Sequence, residues 1–277
     1  MRTPGQIAEE MIVELGITRP NEIDLEAIAY DSGMEVHYDR LSGCEATLVG
    51  VGDRALVTVN RCGNRGRERF SVGHEIGHWQ MHRGRSFRCR VDDADANLTT
   101  NKPLEKEADT FAAHLLLPAP LFLPLVKQIG QPNFQQLAQV GGDFETSLMA
   151  TALRLANVNT LPVIVASYDR LGKRWSLPAA DLPKRWFLKD KLDKDSCTYD
   201  LLFEGKECKH LSKQSGDTWF INDDAGNYTV LEQCVPVRAG EALVILYLES
   251  SMLRAGFDWN VSRRYNDKGS YVPRRSK

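Results

Sequence analysis

The sequence has few of the features that mark a membrane, secreted or nucleic-acid-binding protein. Its longest strongly apolar stretches, 115–126 and 241–249, are short or interrupted by proline, whereas a bilayer-spanning helix needs roughly 20 apolar residues. A net charge of −2 gives no general excess of basic residues for nucleic acid or a membrane surface. Residues 1–16 are acidic and amphipathic, unlike a secretory signal. We therefore expect a cytoplasmic protein without membrane contact.

Paired cysteines are also lacking. The six cysteines are widely scattered, and none forms the C-x-x-C pairs of a zinc ribbon or a redox site. We interpret them as reduced thiols. The chain has no internal repeat and no low-complexity region, and its 42% hydrophobic and 26% charged residues are ordinary for a globular protein. Its 277 residues suit about two domains.

Hydrophobic periodicity changes along the chain, and the change falls near residue 160. Before it, apolar spacing predicts helices near 5–15, 22–32, 66–82, 103–117, 132–140 and 143–156, with Asn21 as the cap of the second. Two β-branched runs, 46–51 and 55–60, predict a hairpin. After residue 160, strands are predicted at 163–169, 228–237 and 242–249. The fold class is therefore expected to be α+β.

The helix predicted at 66–82 contains His74-Glu75-Ile76-Gly77-His78, an H-E-x-x-H string. Residues four apart lie one turn above each other on a helix, so His74 and His78 can direct two imidazoles toward one metal ion. Glu75 lies about 100° around the helix from His74, close enough to reach an attacking water without being a ligand. The alternative is that the five residues form an ordinary helix, since so short a string recurs in unrelated proteins.

The surroundings of the string favour the metal site. Gly73 and Gly77 each cost about 1 kcal/mol relative to alanine within a helix, so close packing must offset them. Apolar residues occupy most sides of this helix, which indicates burial. Two histidines on the inward face of a buried helix need polar partners, and a metal ion supplies one.

A catalytic zinc site needs a third protein ligand and an open position for water. His82 is a poor candidate, because three ligands at i, i+4 and i+8 on one straight helix cannot converge on one ion. The metzincin pattern also fails, since Met81 and Gly84 stand where it requires glycine and histidine. The helix predicted from 103 is a better source of the third ligand.

On that helix, Glu105 and Asp109 lie one turn apart at one margin of the apolar stripe, and Glu107 lies at the other. The spacing predicts Glu105 as the ligand and Asp109 as the acceptor of the free N–H of a ligating histidine. Glu107 stays as an alternative ligand. Taken alone, the helix is equally well an amphipathic one with a solvated acidic edge.

Together, RERFSVGHEIGHWQMH (67–82) and EKEADTFAAHLLLP (105–118) resemble the ImmA/IrrE family of bacterial metallopeptidases. That family typically shows R-x-R-F-x-x-A-H-E-x-G-H-x-x-x-H followed by E-x-E-A-x-x-F-A-x-x-L-L-x-P. The resemblance covers about residues 20–160. One departure is Gly73, where alanine is commoner, and it affects no catalytic group.

The resemblance implies a zincin-like metallopeptidase domain at 1–128, with a short antiparallel sheet and the H-E-x-x-H helix. A small helical, helix-turn-helix-like segment would follow at 129–160. Beyond the resemblance, the strand pattern after residue 160 predicts a C-terminal β-rich α/β domain of unknown role at 161–277, with a basic tail. Zn²⁺ is the expected ion, with Mn²⁺ as an alternative. His74, His78 and Glu105 would bind it, Asp109 would orient a ligand, and Glu75 would be the general base.

The resemblance also implies a substrate, because family members generally cleave a helix-turn-helix repressor encoded nearby and so relieve repression in stress responses or mobile elements. One alternative is a non-proteolytic regulator that binds protein or DNA through the helices at 132–156. Another is the toxin of a toxin–antitoxin pair. For a second oxyanion donor, Tyr38, Tyr168 and His114 are the candidates, although each is more typical of a structural role.

Overall fold

A computed structural model describes residues 2–83, 87–89 and 102–254 of the chain. The chain divides into two compact units, the first made of Met1–Gly130 with Gln135–Arg154 and the second of Gln131–Phe134 with Leu155–Lys277. Helices and two sheets are present, so the predicted α+β class is confirmed. The division into 1–128, 129–160 and 161–277 stays a prediction, and the basic tail lies outside the described residues.

The sheet of the first unit is mixed. Its strands are β1 (Met34–Asp39), β2 (Ala46–Val51), β3 (Arg54–Asn60) and β4 (Phe87–Cys89), in the order β1-β3-β2-β4. The predicted hairpin is present as β2 and β3, and β2 also pairs antiparallel with β4. However, β1 runs parallel to β3, so the expectation of an antiparallel sheet is wrong at this edge. The hairpin is set by a local turn, whereas the partner of β1 is set by long-range packing.

Seven α-helices precede the second sheet in the described residues, and all but the fifth correspond to helices predicted from the sequence. They are α1 (Pro4–Glu14), α2 (Leu25–Asp31), α3 (Arg65–Met81), α4 (Lys102–Leu116), α5 (Ala119–Ile129), α6 (Phe134–Asp143) and α7 (Leu148–Asn157). The predicted cap Asn21 is wrong, because α2 is capped by Asp24, whose carboxylate accepts the backbone N–H of Ala27 at 3.0 Å. Asn21 lies instead in a 3₁₀ turn, Pro20–Glu22.

Helices α3 and α4 pack against each other and form the core beside the sheet. Asn64 caps α3, and residues 71–79 of this helix are all buried. A Cβ built on Gly73 would lie 3.4 Å from the Cβ of Ala112, and one built on Gly77 would lie 3.1 Å from the Cβ of Phe111. Both neighbours belong to α4, so the two glycines set how closely the helices approach.

Within the described residues, no single helix combines the length and the apolar character needed to cross a membrane. Helices α4 and α5 pass that test only as a pair, and they bend by 58° at their junction.

The second unit contains an antiparallel sheet in the order β6-β5-β9-β8-β7. Its strands are β5 (Val163–Asp169), β6 (Gly172–Pro178), β7 (Ser212–Ser215), β8 (Thr229–Arg238) and β9 (Glu241–Leu248), with short helices α8 (Cys197–Tyr199), α9 (Gly216–Trp219) and α10 (Ser250–Arg254). Sequence patterns predicted β5, β8 and β9. They missed β6 and β7, because these edge strands carry mostly polar residues and leave little apolar signal.

Candidate metal centre

Two histidines on α3 form the centre of the site. His74 and His78 lie one helical turn apart, with ring centroids separated by 4.6 Å and ring planes inclined by 77°. Both residues are buried, with exposed fractions of 7% and 0%. The regular helix fixes this pair locally, because side chains at i and i+4 share one face.

The carboxylate of Glu105 reaches the pair from α4. Its Oε2 atom lies 3.2 Å from His74 Nε2 and 3.5 Å from His78 Nε2, and one ligand atom from each of the three residues lies within 4.8 Å of the others. Ligands at about 2.0–2.2 Å in a tetrahedron around zinc stand about 3.3–3.5 Å apart. The donor set and its spacing therefore fit a zinc ion held by two imidazoles and one carboxylate.

Asp109, one turn beyond Glu105 on α4, lies behind His74. Its Oδ1 atom is 2.9 Å from His74 Nδ1, on the ring edge opposite Glu105. With Nδ1 as the donor to this carboxylate, the His74 Nε2 lone pair can point at a metal ion. The arrangement has the geometry of the carboxylate–histidine pairs that orient metal ligands.

His82 and Glu107 form a similar arrangement behind His78. His82 Nδ1 lies 3.0 Å from His78 Nδ1, and His82 Nε2 lies 2.9 Å from Glu107 Oε2. Glu107, the alternative ligand in the sequence, is thus engaged with His82. No function was predicted for His82. Its position four residues beyond His78 could have indicated this contact, because that spacing places a side chain next to the His78 ring.

Glu75 is completely buried beside the two histidines. Its negative charge is one of the interactions that raise the pKa of His74. A carboxylate next to the ligand cluster but outside it is the arrangement that a general base requires.

The two histidines differ in proton affinity when no ion is bound. Burial opposes the protonation of His74, but hydrogen bonds with Asp109 and Glu105 outweigh it and raise its pKa to about 9. Burial is the main cause that lowers the pKa of His78. Despite the cost of its own burial, Glu105 has a lowered pKa because both histidines hydrogen-bond its carboxylate.

Each of the three candidate oxyanion donors has a hydrogen-bond partner outside this cluster. The Tyr38 hydroxyl donates to the carboxylate of Glu26. His114 contacts Glu9 and Arg154, and Tyr168, in the second unit, donates to the backbone carbonyl of Lys189 at 2.7 Å. A structural role for each of these side chains stays a prediction.

Residues 29–156 match the family model described as the IrrE N-terminal-like domain, a peptidase family. This range contains His74, Glu75, His78, Glu105 and Asp109.

Two curated proteins align with the same part of the chain. The radiation response metalloprotease IrrE of Deinococcus radiodurans is 25% identical over 111 residues, which are 40% of this chain and 34% of that protein. The phage-like element PBSX protein XkdA of Bacillus subtilis is 26% identical over 133 residues, or 48% of this chain and 61% of that protein. The chain thus spans less than two thirds of the length of either relative.

Among solved structures, a Mycobacterium tuberculosis transcriptional regulator has a similar fold. Its TM-score with this chain is 0.57 at 16% sequence identity, and the superposition covers 88% of this chain and 76% of the other. At this identity the likeness concerns the fold alone.

Proposed function

Because this chain belongs, over residues 29–156, to the ImmA/IrrE family of metallopeptidases, we propose that it is a zinc-dependent endopeptidase with a zincin-like catalytic domain. His74, His78 and Glu105 hold the ion, Asp109 orients His74, and Glu75 is the general base. The observation that carries the proposal is the convergence of three ligand atoms within 4.8 Å beside a buried glutamate.

Each residue has a distinct task in this mechanism. An ion held by His74, His78 and Glu105 would supply Lewis acidity and would make water a better nucleophile near neutral pH. Glu75 accepts the proton of the attacking water and passes it to the leaving amine, a contribution of about 10²–10⁴ in rate. Asp109 keeps the His74 ring in the orientation and tautomer that ligation needs.

The substrate that the proposal names is a helix-turn-helix repressor encoded near this protein, as the family resemblance implies. Its cleavage would relieve repression in a stress response or a mobile element. The relative XkdA is named as a protein of a phage-like element, which corresponds to the mobile-element setting.

The decisive experiment incubates the purified, zinc-loaded protein with the product of the adjacent repressor gene and follows cleavage by mass spectrometry. Glu75→Gln should keep about one ion at the site and lose at least 10²-fold in cleavage rate, because only the base is removed. Glu35→Gln, an exposed glutamate on β1, is the matched control and should cleave like wild type. Equal rates for Glu75→Gln and wild type would exclude the mechanism.

Direct DNA binding through α6 and α7 is the weaker alternative. The basic residue of α7, Arg154, is only 4% exposed and donates through Nε to the carbonyl of Leu117 at 2.7 Å. Recognition helices instead present basic side chains to the phosphates. Salt-dependent binding of the purified protein to operator DNA would favour this alternative.

A further inference from the structure

A cavity of about 460 Å³ in the first unit lies where β1 and β3 end. Because these strands run parallel and Asp39 pairs with Asn60, both end at the same edge of the sheet. The chain continues from each strand with an arginine, Arg40 after β1 and Arg61 after β3, and both line the cavity. Ligands of open α/β sheets bind in the crevice outside the carboxyl ends of the strands. The cavity therefore has the position of a ligand site.

Helix α3 adds two more arginines to the wall of this cavity. Arg65 is its first residue and Arg69 follows one turn later, so the two side chains share one face of the helix. Arg69 is only 7% exposed and donates from Nη2 to the carbonyl of Ile23 at 3.2 Å. Its buried Nε has no hydrogen-bond partner within the described residues, and burial lowers its pKa. A buried guanidinium whose charge is incompletely compensated is stabilised by a nearby anion.

The two carboxylates that line the cavity already have hydrogen-bond donors of their own. Glu26 accepts the hydroxyl of Tyr38. Glu68 accepts the backbone N–H groups of two residues in the loop before α3, both at 3.0 Å. The Arg61 guanidinium lies over the Tyr38 ring, with its central carbon 5.7 Å from the ring centre. Because Glu68 occupies the loop amides, a ligand would be bound by the arginine side chains rather than by the backbone.

The four arginines carry more positive charge than the nearby ion pairs compensate. Oε2 of Glu145 lies 2.9 Å from Arg65 Nε and 3.3 Å from Arg69 Nη1, so these two guanidiniums share one carboxylate. In the part of the chain that the structure describes, the side chains of Arg40 and Arg61 form no ion pair. Two positive charges at the ends of β1 and β3 are therefore available to an anionic ligand.

The adjoining cavity favours a small anion over a polymeric one. It has a volume of about 700 Å³ and shares Glu26, Arg65 and Arg69 with the first cavity. Its wall also carries Asp24 and Asp143, whose negative charges would repel an extended polyanion such as a nucleic-acid backbone. A volume of about 460 Å³ lies within the range of small-molecule sites, which is roughly 300–1,000 Å³.

We propose that this cavity binds a small molecule that carries a phosphate monoester. Such a group has about two negative charges at neutral pH, which matches the charges of Arg40 and Arg61. Guanidinium groups also bind phosphate oxygens through two parallel hydrogen bonds, a geometry that lysine does not offer. The bound phosphate would join the ends of β1 and β3 to the start of α3. The site does not depend on the proposed peptidase reaction, because its lining residues are distinct from the three metal ligands.

Isothermal titration calorimetry of the full-length protein tests the proposal. The probes are adenosine monophosphate, ribose 5-phosphate and inorganic phosphate, with adenosine and ribose as the matched compounds without phosphate. The phosphate-bearing probes should bind and compete with one another, whereas adenosine and ribose should not bind. The affinities should be equal for zinc-loaded and metal-free protein, because phosphate that bound at the centre on α3 would need the ion.

Two variants locate the binding. Arg40→Gln and Arg61→Gln should each weaken the binding of adenosine monophosphate about 10–100-fold, the usual effect of losing a hydrogen bond to a charged group. Both side chains belong to exposed residues, and urea unfolding should show that both variants fold like wild type. Arg54→Gln, an exposed arginine at the opposite end of β3, is the matched control and should bind like wild type.

Four results would overturn the proposal. The first is that no phosphate-bearing probe binds wild type at millimolar concentration, and the second is that adenosine binds as tightly as adenosine monophosphate. The third is that Arg40→Gln and Arg61→Gln both bind like wild type. The fourth is that a single-stranded oligonucleotide binds more tightly than adenosine monophosphate and is weakened by the same two substitutions, which would assign the arginines to a nucleic-acid backbone.

Discussion

His78 on α3 and His82, which caps the end of this helix, lie with their Nδ1 atoms 3.0 Å apart. One of the two nitrogens must donate and the other accept. If Nδ1 of His78 carries the proton, the lone pair of its Nε2 is available to a metal ion, and His82 then donates from Nε2 to Glu107. A His78–His82–Glu107 chain would therefore orient one proposed ligand as Asp109 would orient the other.

Replacing His82 tests this chain. His82→Ala removes the acceptor for His78 Nδ1, and the affinity for zinc should fall about 10–100-fold, as is typical when a partner of a ligating histidine is lost. A competition titration with a chromophoric chelator measures the change. His37→Ala, an exposed histidine on β1, should bind like wild type. Unchanged affinity in His82→Ala would mean that His82 only fills space at the end of the helix.

Asp109→Asn tests the second orienting contact. Asparagine keeps the size of the side chain but removes the charge that the Nδ1–H of His74 faces at 2.9 Å. We expect zinc affinity to fall about 10–100-fold and cleavage to fall with it. Asp31→Asn, an exposed aspartate at the end of α2, is the control. If Asp109→Asn bound zinc as tightly as wild type, Asp109 would form only a surface ion pair with His74.

Replacing Gly73 and Gly77 of α3 by alanine should change the stability of the protein in opposite directions. At Gly73 the added Cβ meets Ala112 at an ordinary contact distance of 3.4 Å, so Gly73→Ala should stabilise the protein by up to about 1 kcal/mol through helix propensity. At Gly77 it lies 3.1 Å from Phe111, which is completely buried and cannot move aside freely. Overpacking of about 1–3 kcal/mol should outweigh the propensity gain and make Gly77→Ala net destabilising.

Urea unfolding of both glycine variants, compared with wild type, measures the free energies of unfolding. A higher free energy of unfolding in Gly77→Ala would show that α4 can move away from α3 without destabilising the protein. Zinc affinity should fall in Gly77→Ala alone, since only that variant has to displace the helix that carries Glu105.

Glu9 should make stability depend on pH. Burial opposes its ionisation, but hydrogen bonds from His114 and the backbone of Ala119, together with Arg154, lower its pKa below the ordinary 4.5. The contribution of Glu9 is therefore fully present above about pH 4.5 and lost as the pH falls through its lower folded-state pKa. Glu9→Gln should cost about 1.5–3 kcal/mol at neutral pH, the usual value for a hydrogen-bonded charge.

The measurement is urea unfolding of wild type and Glu9→Gln at neutral and acid pH. The difference between the two should shrink as the pH falls, because protonated Glu9 resembles glutamine. Glu14→Gln, an exposed change on the same helix, should match wild type throughout. A constant difference across the range would mean that the charge of Glu9 is not what stabilises the fold.

Much of the first unit could be predicted from sequence because its elements are strongly amphipathic. The helices predicted at 66–82 and 103–117 are observed as Arg65–Met81 and Lys102–Leu116. The parallel pairing of β1 with β3 could not be predicted, since the apolar alternation of a strand gives its faces but not its neighbour. The same limit hid β6 and β7, whose polar sequences become strands only through pairing with β5 and β8.

By itself, the sequence determined the contacts that a single helix fixes. The spacing of His74 and His78 puts their rings on one face of any regular helix, and the motifs around them lie in the range that matches the IrrE N-terminal-like domain. Only the tertiary structure decided which carboxylate of α4 reaches those rings and what His82 contacts. These outcomes depend on the rotation of one packed element against another, and that rotation is set by the whole core rather than by local spacing.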